Sequence, residues 1–198
     1  MGSSFFTFLQ LGFAHISDLN GYDHILFIAA LCAVYQYYQW RELLWLVTAF
    51  TVGHSITLVL ATFALIPVNA DLIEFLIPVT IFITSLINIA DKGNRRMRRR
   101  GRAQYYKYAL ALGFGLIHGM GFSSYLRALL GMEESIALPL FAFNVGLEVG
   151  QIAVVMGLLV LSWLMVQAVR MAQREWNLVL SGATAGIALM MMIERSIF

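Results

Sequence analysis

Four histidines and a few carboxylates are the residues of this chain that could bind a metal ion. Asp23 and His24 stand side by side at the start of a long apolar stretch, and His54, His118 and Glu148 lie inside three further apolar stretches. Ionised groups are costly to place in the middle of a bilayer, so the few that occur there usually line a site or a pathway. We therefore predict that these five residues form one functional site.

The donor atoms of this set favour a particular group of metals. Imidazole nitrogen and carboxylate oxygen without sulfur suit borderline divalent ions, whereas thiolate and thioether sulfur suit Cu⁺. Cys32 is the single cysteine, which excludes an internal disulfide and a thiolate cluster. We expect a divalent Ni, Co or Zn ion, either as substrate or as a bound ion. The predicted ligands are Asp23, His24, His54, His118 and Glu148, with His15, Asp18 and Glu74 as additional candidates near the outer end.

The composition indicates a membrane protein. Of 198 residues, 60% are hydrophobic and 12% are charged, and the mean hydropathy is +0.78. A soluble domain has roughly 25% charged residues, and a helix that crosses a bilayer core of about 30 Å needs about 20 residues. The predicted spans are Asp23 to Tyr38, Leu43 to Ile66, Leu72 to Ala90, Gln104 to Phe122, Ile136 to Val169 and Trp176 to Ile193. The predicted fold class is all-α, a polytopic helix bundle of about six transmembrane helices in a single integral membrane domain, residues 1–198.

The apolar segment from Ser3 to Ile16 is too short for a full span. It has no basic n-region and no small-residue cleavage site, so we do not expect a removable signal peptide. We predict a short helix that lies at the interface or is partly inserted; the alternative is a seventh, shortened span.

The basic loop at residues 92–103 predicts the orientation. Seven of its residues are Lys or Arg, and such residues concentrate in short cytoplasmic loops. Counting spans outward from this loop leaves only Arg127 and Arg195 on the opposite side. We expect a multi-pass protein of a bacterial inner membrane, with the loop in the cytoplasm between two three-helix halves.

The same rule limits the partners. Because the positive-inside rule already explains the basic run, we expect no nucleic acid as a partner. The expected partners are a metal ion and membrane lipid, and a homo-oligomer is left open.

Helical periodicity predicts polar faces that turn away from lipid. Residues three, four and seven positions apart share one face of a helix. The supporting polar residues are Thr51 and Ser55 beside His54, Asn144 and Gln151 beside Glu148, and a third face of Thr80, Thr84 and Asn88. We expect these faces to look at one another.

Small-residue spacings predict close helix packing. Glycine at positions four apart lets two membrane helices approach closely. Three pairs have this spacing: Gly115 and Gly119, Gly146 and Gly150, and Gly182 and Gly186. The first two pairs flank His118 and Glu148, so close packing there would bring these side chains together.

Four motifs resemble the HupE/UreJ family of small bacterial membrane proteins. They are Gly21-Tyr22-Asp23-His24-Ile25-Leu26-Phe27, Thr48 to Leu58 (TAFTVGHSITL), Phe114 to Phe122 (FGLIHGMGF) and Phe143 to Gln151 (FNVGLEVGQ). The resemblance covers nearly the whole membrane domain and implies a secondary permease for nickel or cobalt.

Two spacings differ from the family pattern. The family has a histidine five residues ahead of the Asp-His pair, whereas seven residues separate His15 from Asp23 here. After His118 the chain continues Gly-Met-Gly-Phe, where the family has a second histidine. The resemblance therefore carries ligand roles to Asp23, His24 and His118.

The leading hypothesis is a permease that carries a divalent transition-metal cation, Ni²⁺ or Co²⁺, through a site that opens outward. The sequence contains no phosphate-binding Gly-rich loop with lysine that would indicate ATP use. Two alternatives stay open: an intramembrane zinc or iron enzyme, a hydrolase or oxidase with three histidine ligands, and an accessory protein that delivers metal.

Overall fold

The computed structural model describes residues 2–19, 21–91, 101–130 and 136–196. These residues form α-helices, two short helical turns and connecting loops, with no strand among them. The helices are α1 (Gly2–Ser17), α2 (Asp23–Cys32), α3 (Trp40–Thr62), α4 (Ala70–Ala90), α5 (Gly101–Gly121), α6 (Ser123–Leu130), α7 (Ala137–Trp163) and α8 (Gln173–Glu194). Most of the predicted basic loop, residues 92–100, lies outside the described residues.

Four helical segments are long and apolar enough to cross a membrane. They are Tyr37–Thr62, Ala70–Ala90, Ala137–Ala168 and Gln173–Glu194. They correspond to the second, third, fifth and sixth predicted spans. The prediction of an all-α, multi-pass membrane protein is confirmed at this level, whereas the count of six spans is not.

The other two predicted spans differ from expectation. Helix α2 ends at Cys32 and has 10 residues, so it rises only about 15 Å, half of a typical bilayer core. The prediction of one span from Asp23 to Tyr38 is therefore wrong in its length. Helix α5 has 21 residues, but Arg102 and Lys107 in its first two turns make it less apolar than the four long segments.

Helices α3 and α5 pack side by side in the same direction. A Cβ atom built on Gly115 would overlap the carbonyl oxygen of Phe50, and one built on Gly119 would overlap the carbonyl oxygen of His54. Only glycine allows the two backbones to come this close. The crossing therefore fixes His54 and His118 at the same depth on neighbouring helices.

Helices α1 and α7 form a second crossing of the same kind. A Cβ atom on Gly12 would overlap the Phe143 carbonyl oxygen, and one on Gly146 would overlap the Leu9 carbonyl oxygen. Helix α1 thus lies along α7, in the same direction, and Ile16 near its end is fully buried. This packing agrees with insertion of the N-terminal segment and not with a helix lying flat at the interface.

Helices α4 and α8 form an antiparallel pair whose ends are tied together. The Arg174 guanidinium donates to the carbonyl oxygens of Ile89 and Asp91, both at 2.6 Å, and so caps the last turn of α4. Ser85 and Thr184 share a hydrogen bond of 2.8 Å further along. We call the end of the bundle with Arg174 the basic end, because it adjoins the basic loop, and the other end the opposite end.

Two of the three predicted polar faces meet. Ser55 Oγ donates to Asn144 Oδ1 at 2.7 Å, and Thr51 Oγ1 donates to Gln151 Oε1. These pairs join α3 to α7, which runs antiparallel to it. The third face is directed elsewhere, because Thr80 and Thr84 bond to carbonyl oxygens of α4 itself, and Asn88 Nδ2 donates to Ala30 in α2.

Candidate metal site

The helix is interrupted between α1 and α2, and the site lies at this break. Helix α1 runs from the opposite end toward the middle of the bundle, and α2 continues from there to the basic end, where Asn88 Nδ2 donates to the Ala30 carbonyl at 2.6 Å. His15 lies in the last turn of α1, and Asp23 and His24 form the first turn of α2. Broken helices of this kind place backbone ends and polar side chains at mid-membrane depth.

All four histidine rings meet at this break. The centroid of the His24 ring lies 4.6 Å from that of His15, 5.3 Å from that of His118 and 5.8 Å from that of His54. His15 also lies 6.1 Å from His54 by the same measure. Three elements that are distant in sequence, the α1–α2 break, α3 and α5, thus contribute to one cluster, which we call the histidine cluster.

Most ring nitrogens of this cluster are buried without a hydrogen-bond partner. They are Nε2 of His15, Nε2 of His24, both nitrogens of His54, and Nε2 of His118. The side chains of His54 and His118 are each only 1% exposed. Buried polar atoms normally have a partner, and each exception needs an explanation such as an ion or a water molecule. The cluster therefore offers several nitrogen lone pairs to a ligand.

The tautomer of His118 is fixed by its own helix. Its Nδ1 lies 2.9 Å from the Phe114 carbonyl oxygen, and because a carbonyl can only accept, Nδ1 carries the proton. A neutral ring in this state has its lone pair on Nε2. This is the protonation state that a metal ligand requires.

The Asp23 carboxylate contacts both the backbone N–H and the ring of His24. Its Oδ1 accepts from the His24 backbone N–H at 2.9 Å and lies 3.0 Å from His24 Nδ1, although the ring is not aligned for a full hydrogen bond. Carboxylates placed against the outer nitrogen of a histidine orient the ring and raise its basicity as a ligand. In this geometry Asp23 acts through His24.

Arg195 is a residue of the site that sequence reasoning did not include. Its Nη1 lies 3.8 Å from Asp23 Oδ2 and donates to the Glu74 carbonyl at 3.5 Å. Pro78 lacks the N–H that would normally bond this carbonyl in α4. The signal in the sequence was the isolated arginine on the side with few basic residues.

Glu148 lies outside the histidine cluster. Its Oε1 accepts from Thr48 Oγ1 at 3.2 Å, and Thr48 lies about 9 Å along α3 from His54 by helical rise. Among the described contacts, none joins Glu148 to a histidine ring. Its neighbours are the supporting residues Thr51 and Gln151, on the face between α3 and α7.

A cleft of about 560 Å³ at the end of α1 reaches His15. Asp18 lies on its wall, together with Phe122 and Tyr125. Glu74, the remaining candidate, is exposed at the start of α4 and contributes only its backbone carbonyl, to Arg195. The cluster is thus reached through His15 and Asp18.

The histidine rings pack against one another and do not surround a common point. Within residues 2–19, 21–91, 101–130 and 136–196, no three His, Cys, Asp or Glu side chains are already arranged as metal ligands. Rotation of the rings about their side-chain torsions is needed to turn the free nitrogens toward one ion. The donor set and its unpartnered nitrogens nevertheless fit a borderline divalent ion.

Fold and site together define a multi-pass membrane protein with a buried histidine cluster. The model of the HupE / UreJ protein family matches residues 1–195, and the chain belongs to this family. The resemblance predicted from the four motifs is thus confirmed. No curated protein and no solved structure matches the chain.

Proposed function

We propose that this protein is a secondary permease for a divalent transition-metal cation, Ni²⁺ or Co²⁺, and that the histidine cluster is its transport site. The observation that carries the proposal is the set of buried ring nitrogens without partners on His15, His24, His54 and His118. Neutral imidazoles arranged in this way suit borderline divalent ions better than they suit Mg²⁺ or Ca²⁺.

The break between α1 and α2 supports transport over a purely structural role. Secondary transporters often bind their substrate at mid-membrane depth, where a helix is interrupted. The N-terminus of α2, with Asp23 in its first turn, points into such a position. A cleft reaches His15 at this position and gives an ion access to the cluster.

The steps follow from the positions of the side chains. The hydrated ion enters the cleft past Asp18 and exchanges water for the nitrogen of His15. The His54 ring, whose nitrogens have no hydrogen-bond partner, then rotates toward the ion. Asp23 keeps the His24 ring in its ligand orientation, and the Phe114 carbonyl holds the His118 ring. The negative charge of Asp23 offsets part of the ion's charge.

Glu148 supplies a second negative charge inside the membrane. Its carboxylate, held by Thr48, lies between α3 and α7 and offsets part of the charge of a bound cation. We further propose a bacterial inner membrane as the location, with the basic end in the cytoplasm and transport running inward.

An intramembrane metal enzyme is the second candidate. Below the cluster Phe27 is fully buried and Phe50 is 2% exposed, which favours a metal that stays bound. A resident Zn or Fe ion with three histidine ligands and one open position would then activate water.

Metal flux into proteoliposomes separates the two candidates. Vesicles containing the purified protein and a trapped metal-sensitive dye should take up Ni²⁺ or Co²⁺. The His54→Ala/His118→Ala double variant should lose this uptake, whereas exchange of the exposed Met190, Met190→Ala, should leave it unchanged. Tightly bound metal without flux in the parent protein would exclude the permease and leave the enzyme or a metal-delivery protein.

A further inference from the structure

Three helices repeat the same order of side chains along the bundle axis. From the middle of the membrane toward the basic end, each presents a histidine, then a phenylalanine, then a leucine. The sets are His24, Phe27 and Leu31 on α2; His54, Phe50 and Leu46 on α3; and His118, Phe114 and Leu110 on α5. Because α2 runs opposite to α3 and α5, its set reads forward in sequence and the other two read backward.

The three phenylalanines form a layer directly below the histidine cluster. The ring centroid of Phe27 lies 4.8 Å from that of Phe50 and 5.9 Å from that of Phe114. The His118 ring lies 5.2 Å from Phe27 and 5.1 Å from Phe50. The histidines therefore rest on this aromatic layer.

A cavity lies below the layer. Its volume is about 50 Å³, and Leu31, Leu46 and Leu110 line it, as does Phe114. Since a buried water needs about 10–15 Å³, the cavity has room for several. The lining is mainly apolar, and it also includes the polar residues Tyr35, Thr84, Asn88 and Lys107. All four belong to the parts of α2, α4 and α5, or the turn after α2, that lie near the basic end.

Lys107 gives the cavity a distinct electrostatic character. Its ammonium group lies 5.3 Å from the centre of the Tyr35 ring. A fixed positive charge lowers the affinity of the cavity for a cation, whereas the cluster above it contains neutral imidazoles and the Asp23 carboxylate.

We infer that Phe27, Phe50 and Phe114 are the inner gate of the transport path and that the cavity below them is the release chamber for the hydrated cation. This inference rests on the proposed permease function. An apolar constriction excludes water, so a hydrated ion passes only when the rings move apart. His118 connects site and gate, because its ring packs directly against the rings of Phe27 and Phe50.

Thiol accessibility tests the gate directly. In a Cys32→Ala background, Thr84→Cys places one thiol in the chamber. A membrane-impermeant methanethiosulfonate should label it from the basic end only. Adding Phe27→Ala should open the layer, so that the reagent labels Thr84→Cys from the opposite end as well. Metal flux should rise at least about tenfold in the same variant, as expected when an apolar constriction is lost.

The matched control removes an equally large ring elsewhere. Phe8→Ala also empties a buried position, since Phe8 is 6% exposed, but it lies on α1 away from the layer. It should leave labelling one-sided. If Phe27→Ala does not fold, the milder Phe27→Leu and Phe114→Leu variants take its place with the same readout.

The outcomes separate failure of the proposed gate from failure of the proposed transport function. Labelling from both ends without a gate mutation, or labelling that stays one-sided in every folded gate variant, would overturn the gate. Calorimetry with Ni²⁺ on the same preparations reports on the site. A parent protein that binds no metal but shows gated labelling would refute the transport function and retain the constriction.

Discussion

His24 is the residue at which the contacts of the cluster converge. Its ring faces those of His15, His54 and His118, and its Nδ1 lies beside Asp23. The sequence predicted the importance of His24 because an adjacent aspartate and histidine at the start of an apolar run are hard to explain as packing. It could not assign Asp23 as the residue that holds this ring, since only the fold reveals which atoms of the pair face each other.

Asp23→Asn should weaken metal binding by about 10- to 100-fold, the usual effect of removing a carboxylate behind a histidine ligand. An amide cannot raise the basicity of His24, and it leaves the positive charge of Arg195 without a carboxylate partner. Calorimetric titration with Ni²⁺ measures the change.

Asp71→Asn is the control for the Asp23 variant. Asp71 is an exposed aspartate in the first turn of α4, and its exchange should leave the affinity within experimental error. Equal affinities for the parent and Asp23→Asn would show that Asp23 has no part in the site.

His15 illustrates what spacing alone could not predict. Seven residues separate it from Asp23, a departure from the family pattern, and so it entered only as an additional candidate. In the structure, the centroid of the His15 ring nevertheless lies 4.6 Å from that of the His24 ring, across the interruption between α1 and α2. Conversely, Glu148 was expected beside the histidines, but the register of α7 against α3 pairs it with Thr48.

The helix pairs position the site through glycine. The sequence predicted close packing at Gly119 and Gly146, and both lie against a neighbouring backbone. The same spacing at Gly182 and Gly186 has open space around it, because the pattern does not tell which face of a helix meets a neighbour. The short length of α2 was also missed, since the apolar run continues past Cys32 as a turn.

Gly119→Leu should separate α3 from α5 and destroy the site. A side chain at this position would overlap the His54 carbonyl and the Thr57 hydroxyl, and overpacking in a tight core costs about 1–3 kcal/mol or more. We expect a lower unfolding temperature in detergent and loss of bound metal.

Gly157→Leu provides the comparison for this variant. Nothing lies within 4 Å of a Cβ built at Gly157, so stability and metal content should be retained. If Gly119→Leu behaved like Gly157→Leu, the crossing of α3 and α5 would not be the element that supports the site.

At the scale of the whole molecule, the direction of the proposed transport depends on which end of the bundle faces the cytoplasm. From the positive-inside rule we propose that the basic end faces the cytoplasm. Composition was enough to predict a helical membrane protein, because length and hydropathy decide that class. The arrangement of helices depends on backbone contacts between distant segments, which hydropathy does not report.

The orientation can be measured with one introduced thiol. Gly101→Cys, at the start of α5, should react with an impermeant maleimide only after spheroplasts are opened, because this position belongs to the predicted basic loop. The buried Cys32 should stay unlabelled in both cases. Labelling in intact spheroplasts would reverse the direction of the proposed path.

The central claim is that four histidines from three distant parts of the chain form one metal site. Calorimetric titration of the purified protein with Ni²⁺, Co²⁺ and Zn²⁺ tests it most directly, with the His54→Ala/His118→Ala double variant alongside. We predict stoichiometric binding of at least one of these ions to the parent protein and its loss in the double variant, with both proteins folded. The same affinity for all three ions in both proteins would contradict the site.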